Sequence, residues 1–272
     1  MSSVPSPRTA EMSTVLARTA AALALLLLLC GCGQGDQYAG TVPTAARKVG
    51  SCAKIATPEE LYTASDIGPV VPCTEPHQTE TVFVGRLDGP IAAEAERPVV
   101  EKLDTVIADR CHSVDLRGYL GARARDSFGV SLLTRVPTRA EWAAGERTFR
   151  CDAIPAAAPG APPQLSVPLR GVLPTAASAA VRVCWRGGEQ LPCDRPHTAE
   201  EVNAWLLAAP GSPEQPCEPY VTEFLGGPLS DFPELAVVAI PGIVNGQQTV
   251  KCAVGRRDGR QSTGTLAVDA RS

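Results

Sequence analysis

Short stretches in which apolar and polar residues alternate recur along the chain, and they predict a protein rich in β-strands. The clearest stretch covers residues 181–193, where two strand-like runs flank Gly187-Gly188, a pair typical of hairpin turns. Cys184 and Cys193 would face each other across this hairpin. Further strands are predicted at residues 81–87, 130–136, 148–151, 235–240 and 249–254. The strands at 148–151 and 249–254 are the last of the two halves, and those at 130–136 and 235–240 are each followed by a proline.

One segment instead has helical spacing. Between residues 94 and 112, apolar residues recur every three or four positions, and Pro98 is placed for the first turn of a helix. His112 would lie at the helix end, where a protonated imidazole interacts favourably with the helix dipole. The order of strands and helix predicts an α+β fold with an antiparallel sheet.

The same pattern of residues occurs twice. Residues 71–80 read VPCTEPHQTE and residues 191–200 read LPCDRPHTAE, so both follow apolar-Pro-Cys-x-x-Pro-His-x-x-Glu. Farther along, GERTFRC at 145–151 matches GQQTVKC at 246–252. We interpret the chain as two tandem copies of one small domain of about 90 to 105 residues, since shorter periods would be expected of a solenoid.

These matches predict the domain boundaries. The first repeat covers residues 48–153 and the second, more diverged repeat covers 169–255. Residues 154–168 (IPAAAPGAPPQLSVP) are rich in proline and alanine, which favours a semi-rigid extended linker. A spacer at 32–47 and a tail at 256–272 complete the predicted organisation.

The start of the chain predicts export. Residues 19–29 form an apolar run behind Arg8 and Arg18, as in a secretory signal peptide over residues 1–31. The run is too short to span a bilayer, which requires about 20 apolar residues. Either Met1 or Met12 is compatible with this prediction.

The last residue of the apolar run and the three that follow it, Leu29-Cys30-Gly31-Cys32, resemble the lipobox of bacterial lipoproteins. The resemblance implies cleavage before Cys32 and a lipid on that cysteine, which would hold the protein on the outer face of the cytoplasmic membrane. The alternative is an ordinary secreted protein without a lipid.

The cysteines predict a disulfide framework. Beyond Cys32 the chain has eight, an even number, which in an exported protein is typical of disulfides. No Cys-x-x-Cys occurs, which argues against both a metal site and a thiol–disulfide oxidoreductase. Pairing of chain neighbours is the natural connectivity, although spacing leaves the connectivity open. The pairs would be Cys52 with Cys73, Cys111 with Cys151, Cys184 with Cys193, and Cys217 with Cys252.

Charge adds one exclusion. The formal net charge is −4, and no block of like charges occurs. A nucleic-acid partner would require a basic surface, so we expect none.

Three pieces of the first repeat resemble the septum-formation domain family of actinobacterial membrane and secreted proteins. They are VGSC at 49–52, the Pro-Cys-x-x-Pro-His-x-x-Glu-x-Val pattern at 72–82, and Pro-x-x-x-Glu-Trp-x-x-Gly-x-Arg-x-x-x-Cys at 137–151. The resemblance covers residues 48–152 and, more loosely, 169–254, where the Trp-x-x-Gly-x-Arg form is missing. It implies an extracytoplasmic role in cell division or in the envelope, with an envelope or divisome partner that is unknown.

The candidate site residues are the repeated pairs His77 with Glu80 and His197 with Glu200. Histidine and glutamate can bind zinc or transfer protons. However, no third catalytic group is shared by the two copies nearby, so a structural role is the alternative. Trp142 with Arg147 is either an interface pair or part of the core.

We therefore expect a binding or scaffold protein that is not an enzyme and has no catalytic residues, no metal and no cofactor. The alternative function is an envelope hydrolase or a metal-binding protein that uses the two His-x-x-Glu elements.

Overall fold

The computed structural model describes residues 47–55, 65, 68–156, 164–208 and 214–267, all of which belong to one compact unit. The predicted signal peptide and the predicted lipidation site Cys32 lie outside the described residues. No helix in the described part of the chain is long and apolar enough to cross a membrane.

Each repeat forms a five-stranded antiparallel sheet, as the α+β prediction requires. The first sheet has the order β2-β1-β3-β5-β4 and the second the order β7-β6-β8-β10-β9, so the same arrangement occurs twice. The strands are β1 Cys52–Ala53, β2 Val70–Val71, β3 Thr79–Arg86, β4 Val130–Arg135, β5 Thr148–Pro155, β6 Val183–Arg186, β7 Glu189–Pro192, β8 Ala199–Leu207, β9 Leu235–Val244 and β10 Gln247–Arg256.

Helices cover one face of each sheet. Four belong to the first repeat and one to the second among the described residues. They are α1 Gly89–Ala92, α2 Val100–His112, α3 Leu116–Leu120, α4 Arg139–Ala143 and α5 Glu218–Leu225. Short 3-10 helices occur at Ala176–Ala180, Gln215–Cys217 and Leu229–Asp231.

The helix predicted at 94–112 begins later than expected. Val99 is its N-cap, with an extended ψ of 151°, so Pro98 precedes the helix instead of occupying its first turn. Pro98 disfavours the helical conformation at the residue before it, and the carbonyl of Glu94 accepts a hydrogen bond from Trp142 Nε1 at 2.9 Å. The predicted start was therefore wrong, whereas the predicted end at His112 is confirmed.

The strand predicted to stop before Pro241 also differs from the structure. β9 continues through Pro241 to Val244. Because β9 is the edge strand of its sheet, the nitrogen of a proline can face away from the neighbouring strand without loss of a ladder hydrogen bond. Asn245 and Gly246, with φ values of 50° and 76°, then form the tight turn into β10.

Disulfides tie each sheet to the elements around it. In the first repeat Cys52 bonds to Cys73, and Cys111 of α2 bonds to Cys151 of β5. In the second repeat Cys184 bonds to Cys193 across the hairpin, and Cys217, the N-cap of α5, bonds to Cys252 of β10. These are the chain-neighbour pairs expected, and loop closure of the longer ones is worth roughly 3–4 kcal/mol each.

The structure has two main apolar cores, and the first also includes Leu173 and Val181 of the second repeat. Leu103 and Ile107 of α2 pack with Phe149 of β5 in the first core. Val221 and Phe224 of α5 pack with β10 in the second. The described part of the predicted linker joins the first core, because Leu165 is buried there together with Leu169 just beyond it. This segment thus contributes to packing as well as connecting the repeats.

Candidate functional site

The motif of the first repeat lies at the start of β3, and its side chains are internal. His77 and Glu80 are both fully buried. The backbone N–H and C=O of His77 pair with Leu165 at 2.9 and 2.8 Å, and the Glu80 carboxylate accepts a hydrogen bond from the Leu169 N–H at 2.5 Å. The Tyr119 hydroxyl also donates to Glu80, and burial and this carboxylate raise the pKa of Tyr119. The motif therefore holds the chain segment that follows β5.

The second motif makes the corresponding contacts. His197 pairs through its backbone with Ser262 at 2.9 and 2.8 Å. Glu200 accepts hydrogen bonds from the Thr265 hydroxyl at 2.8 Å and from the Leu266 N–H. We call residues 164–169 and 262–267 the first and second straps. In both repeats His-x-x-Glu fastens the strap that follows the last strand of the sheet.

Both histidine rings adopt the same arrangement. Nδ1 of His77 lies 2.8 Å from the Glu75 carbonyl, and Nδ1 of His197 lies 2.8 Å from the Arg195 carbonyl. A carbonyl only accepts, so Nδ1 donates a hydrogen bond to it in both rings. Nε2 of each ring is buried without a hydrogen-bond partner among the described residues. Burial lowers the pKa of His197, which favours the neutral form of this imidazole.

Sulfur atoms lie close to the motifs. Cys184, Cys193 and a His197 ring nitrogen are mutually within 4.8 Å, and so are Cys52, Cys73 and the Glu80 carboxylate. In the structure, the two sulfurs of each group are joined in a disulfide. A metal ligand would have to be a thiolate, so these groups could bind a metal only after reduction.

A buried ion network joins the second motif to the first repeat. Arg182 is 2% exposed and lies 2.9 Å from Asp126 and 3.5 Å from Glu200. It also donates to the Ser178 hydroxyl and the Leu173 carbonyl, both at 3.0 Å. Burial raises the pKa of Glu200, while the Arg182 charge acts in the opposite direction. The network contributes to holding the two repeats together.

Trp142 and Arg147 have internal contacts as well. Trp142 is 1% exposed, and the Arg147 guanidinium stacks on its ring at 3.8 Å. Arg147 donates to the carbonyls of Ala92 and Trp142 at 2.7 and 2.8 Å. This pair links α1 to α4 and β5.

The outer face of each sheet, the face turned away from its helix, is where the repeats differ most. In the first sheet this face carries Asp152, which is fully buried. Arg47 lies 3.7 Å from Asp152 and donates to the Gly68 carbonyl at 2.5 Å. Arg150 contacts Asp152 at 3.2 Å. Arg47 and the described part of the β1–β2 connection thus cover this face.

The outer face of the second sheet is open and aromatic. The Lys251 ammonium lies 5.0 Å from the Trp185 ring centroid and 4.7 Å from that of Trp205. Trp205 is 53% exposed, and Leu207, two residues farther along β8, is 66% exposed. We call Trp185, Trp205 and Lys251 the aromatic platform. A cation between two indole rings stabilises their positions.

Glu201 holds two side chains of the platform, Trp185 and Lys251, in position. Its carboxylate accepts hydrogen bonds from Trp185 Nε1 and from the Ser127 hydroxyl of the first repeat, both at 2.8 Å. It also lies 3.4 Å from the Lys251 ammonium. The platform is therefore rigid and close to neutral in charge. A cavity of about 180 Å³ between the repeats, lined by Ser127, Gln190 and Glu201 among others, opens beside it.

Trp185, Trp205 and Lys251 were not among the site residues predicted from the sequence. The signal for the platform was that Trp185 and Trp205 are two of only three tryptophans, both in the second repeat. Cys252 corresponds to Cys151, so Lys251 stands where the first sheet has Arg150. The repeats also differ in the spacing of their first disulfide, since Cys184 and Cys193 are 9 residues apart whereas Cys52 and Cys73 are 21 apart.

Fold and site define a disulfide-stapled α+β protein with two internal His-x-x-Glu motifs and one open aromatic face. The family model described as septum formation matches residues 49–228, and the chain belongs to this family. The match runs across the first repeat and into the second, which confirms the resemblance and connects the protein with septum formation. No curated protein and no solved structure matches the chain. The four disulfides are typical of a protein that folds outside the cytoplasm.

Proposed function

We propose that the protein is a lipid-anchored, non-catalytic binding or scaffold protein on the outer face of the cytoplasmic membrane, where it acts in septum formation. The observation that carries the proposal is Trp205 of the aromatic platform, which is 53% exposed beside the exposed Leu207, while the motif residues His77, Glu80, His197 and Glu200 are buried. Catalysis on an external substrate requires groups that reach it. Partner binding instead favours exposed tryptophans on a rigid surface.

The platform would be the partner-binding surface. Trp205 and Leu207 expose apolar surface to solvent. Glu201 and Lys251 hold the indole rings in place, and their opposite charges cancel. Ordering costs on binding are low when the contact residues are already fixed. This arrangement favours an uncharged partner surface.

The platform proposal is tested in cells that depend on this protein for septum formation. We expect Trp205→Ala combined with Leu207→Ser to impair septum formation while protein level and melting temperature stay unchanged. The matched control is Val99→Ser, which removes another exposed apolar side chain, 62% exposed, from the first repeat. Normal septa with the double variant would contradict the proposal, as would an equal defect with the control.

The lipid anchor is supported by Leu29-Cys30-Gly31-Cys32. Cys32→Ala should release the protein or leave its precursor, whereas Cys30→Ala should still be lipidated. Membrane retention of the Cys32→Ala protein to the wild-type extent would show that another element holds it.

A further inference from the structure

The β9 strand presents an open edge. It is ten residues long, carries no charged side chain, and has β10 as its partner among the described strands. The corresponding edge strand of the first sheet, β4, has six residues and ends in Arg135. Long apolar edges are sites at which another strand adds, and proteins commonly protect them with charges, prolines or short length. β9 is long and uncharged, so its protection is limited to Pro241, which removes one backbone N–H.

The direction of the backbone groups of β9 follows from two observations. The Arg257 N–H donates to the Glu234 carbonyl at 2.8 Å, so even-numbered residues direct their N–H and C=O toward β10. Pro241, opposite Val250, has no N–H and fits an odd-numbered position without loss. Odd-numbered residues therefore point outward. The N–H groups of Val237, Ala239 and Ile243 lack an acceptor among the described residues.

We propose that two copies of the chain pair through β9 in an antiparallel, two-fold arrangement centred on Ile240. This centre places Val237 opposite Ile243 and Ala239 opposite Pro241, so every free outward N–H finds a carbonyl. A centre one residue earlier places Ile243 opposite Leu235, whose carbonyl already accepts from Arg257 at 2.9 Å. A centre one residue later moves Val237 beyond the end of the partner strand.

A second copy suits this edge better than a charged partner does. Self-pairing across a two-fold axis places identical strands side by side, and like charges would then repel. The β9 strand has none. Ile240 is the register neighbour of Lys251, so pairing here would also bring the two platforms onto one continuous ten-stranded sheet. Strand pairing buries little area, so the dimer should depend on local concentration.

The test is disulfide trapping in the full-length protein, expressed in the compartment where its own disulfides form. At the two-fold axis, the two copies of residue 240 form a non-hydrogen-bonded pair about 4.5 Å apart at Cα. That separation lies within the range of about 4.4–6.8 Å that disulfides require. We expect Ile240→Cys to give a reductant-sensitive band of twice the monomer mass on a non-reducing gel.

The matched control is Ile243→Cys. Residue 243 is 75% exposed, more accessible than residue 240, so random collisions would favour it. In the proposed pairing the two copies of residue 243 are six positions apart, about 20 Å, and cannot bond. Wild-type protein and Ile243→Cys should remain at the monomer mass. No trapped dimer with Ile240→Cys, or equal trapping with Ile243→Cys, would overturn the proposal.

A second pair of variants guards against misfolding of Ile240→Cys. Val238→Cys and Gly242→Cys should crosslink when the two proteins are co-expressed and not when either is expressed separately. Absence of that crosslink would also overturn the pairing. The readout is a mass, so this result is independent of the septum assay that tests the platform.

Discussion

The outer faces of the two sheets differ, although the sheets share one strand order and one strap contact. On the first sheet, Asp152 is sealed beneath Arg47 and Arg150. On the second, Trp205 is more than half exposed. The comparison separates what the fold requires, the disulfides and the straps, from what is free to change, the outer face.

The core of the first repeat and the open face of the second sheet can be compared through their tryptophans, Trp142 and Trp205. Trp142→Ala should destabilise the protein by about 3–5 kcal/mol, because it removes a buried ring and leaves a cavity. Trp205→Ala should change the free energy of unfolding by at most about 0.5 kcal/mol, as is usual at a surface position. Chemical denaturation of both variants measures the difference. Similar losses would show that the platform is part of the core.

The connection between the repeats gives the next largest effect. Arg182→Met removes the cation beside Glu200 and leaves Asp126 with only the more distant Arg123, at 3.5 Å, which should cost about 3–5 kcal/mol. Arg125→Ala breaks the more exposed inter-repeat pair with Glu223 and should cost at most about 1 kcal/mol. Urea titrations distinguish the two. If Arg125→Ala proved the more harmful, the buried network would not be the main connection.

A smaller effect concerns pH and the second motif. Burial lowers the pKa of His197, so the folded protein favours the neutral ring more than the unfolded chain does. The stability from this group is present above about pH 6.5 and is lost as the pH falls below that value. The raised pKa of Glu200 makes stability depend on pH with the opposite sign. The contribution of His197 must therefore be isolated by comparing the wild type with a His197 variant.

We expect His197→Asn to melt with less dependence on pH between 7.5 and 5 than the wild type, by roughly a few degrees. The matched control is His112→Asn, which removes an exposed histidine at the end of α2 and should change the pH dependence less than His197→Asn does. Melting curves of the wild type and both variants across this pH range measure the difference. Identical pH dependence in the wild type and His197→Asn would show that His197 contributes nothing to acid sensitivity.

Local patterns predicted much of the fold. The β6–β7 hairpin followed from alternation around Gly187-Gly188, and the disulfide pairs followed from the order of the cysteines. The start of α2 was mispredicted because Pro98 can lie just before a helix as well as inside its first turn. The end of β9 was mispredicted because a proline is tolerated where a strand has one neighbour.

The site was harder to predict, because its features depend on distant contacts. Leu165 and Leu266 lie in segments that read as linker and tail, and only the buried motifs show why they are ordered. His77 and His197 were singled out from the sequence as a repeated pair, but their burial depends on contacts with the straps, which are distant in the sequence.

The central claim is that the two His-x-x-Glu motifs fasten straps and do no chemistry, and one measurement tests it most directly. Metal content of the purified wild type is determined together with melting curves of the wild type and of the His77→Ala/His197→Ala double variant. We expect no stoichiometric zinc, and a melting temperature several degrees lower in the variant, because each substitution removes a buried hydrogen-bonded group worth about 1–3 kcal/mol. Near-stoichiometric zinc in the wild type that disappears in the variant, with melting unchanged, would contradict the claim.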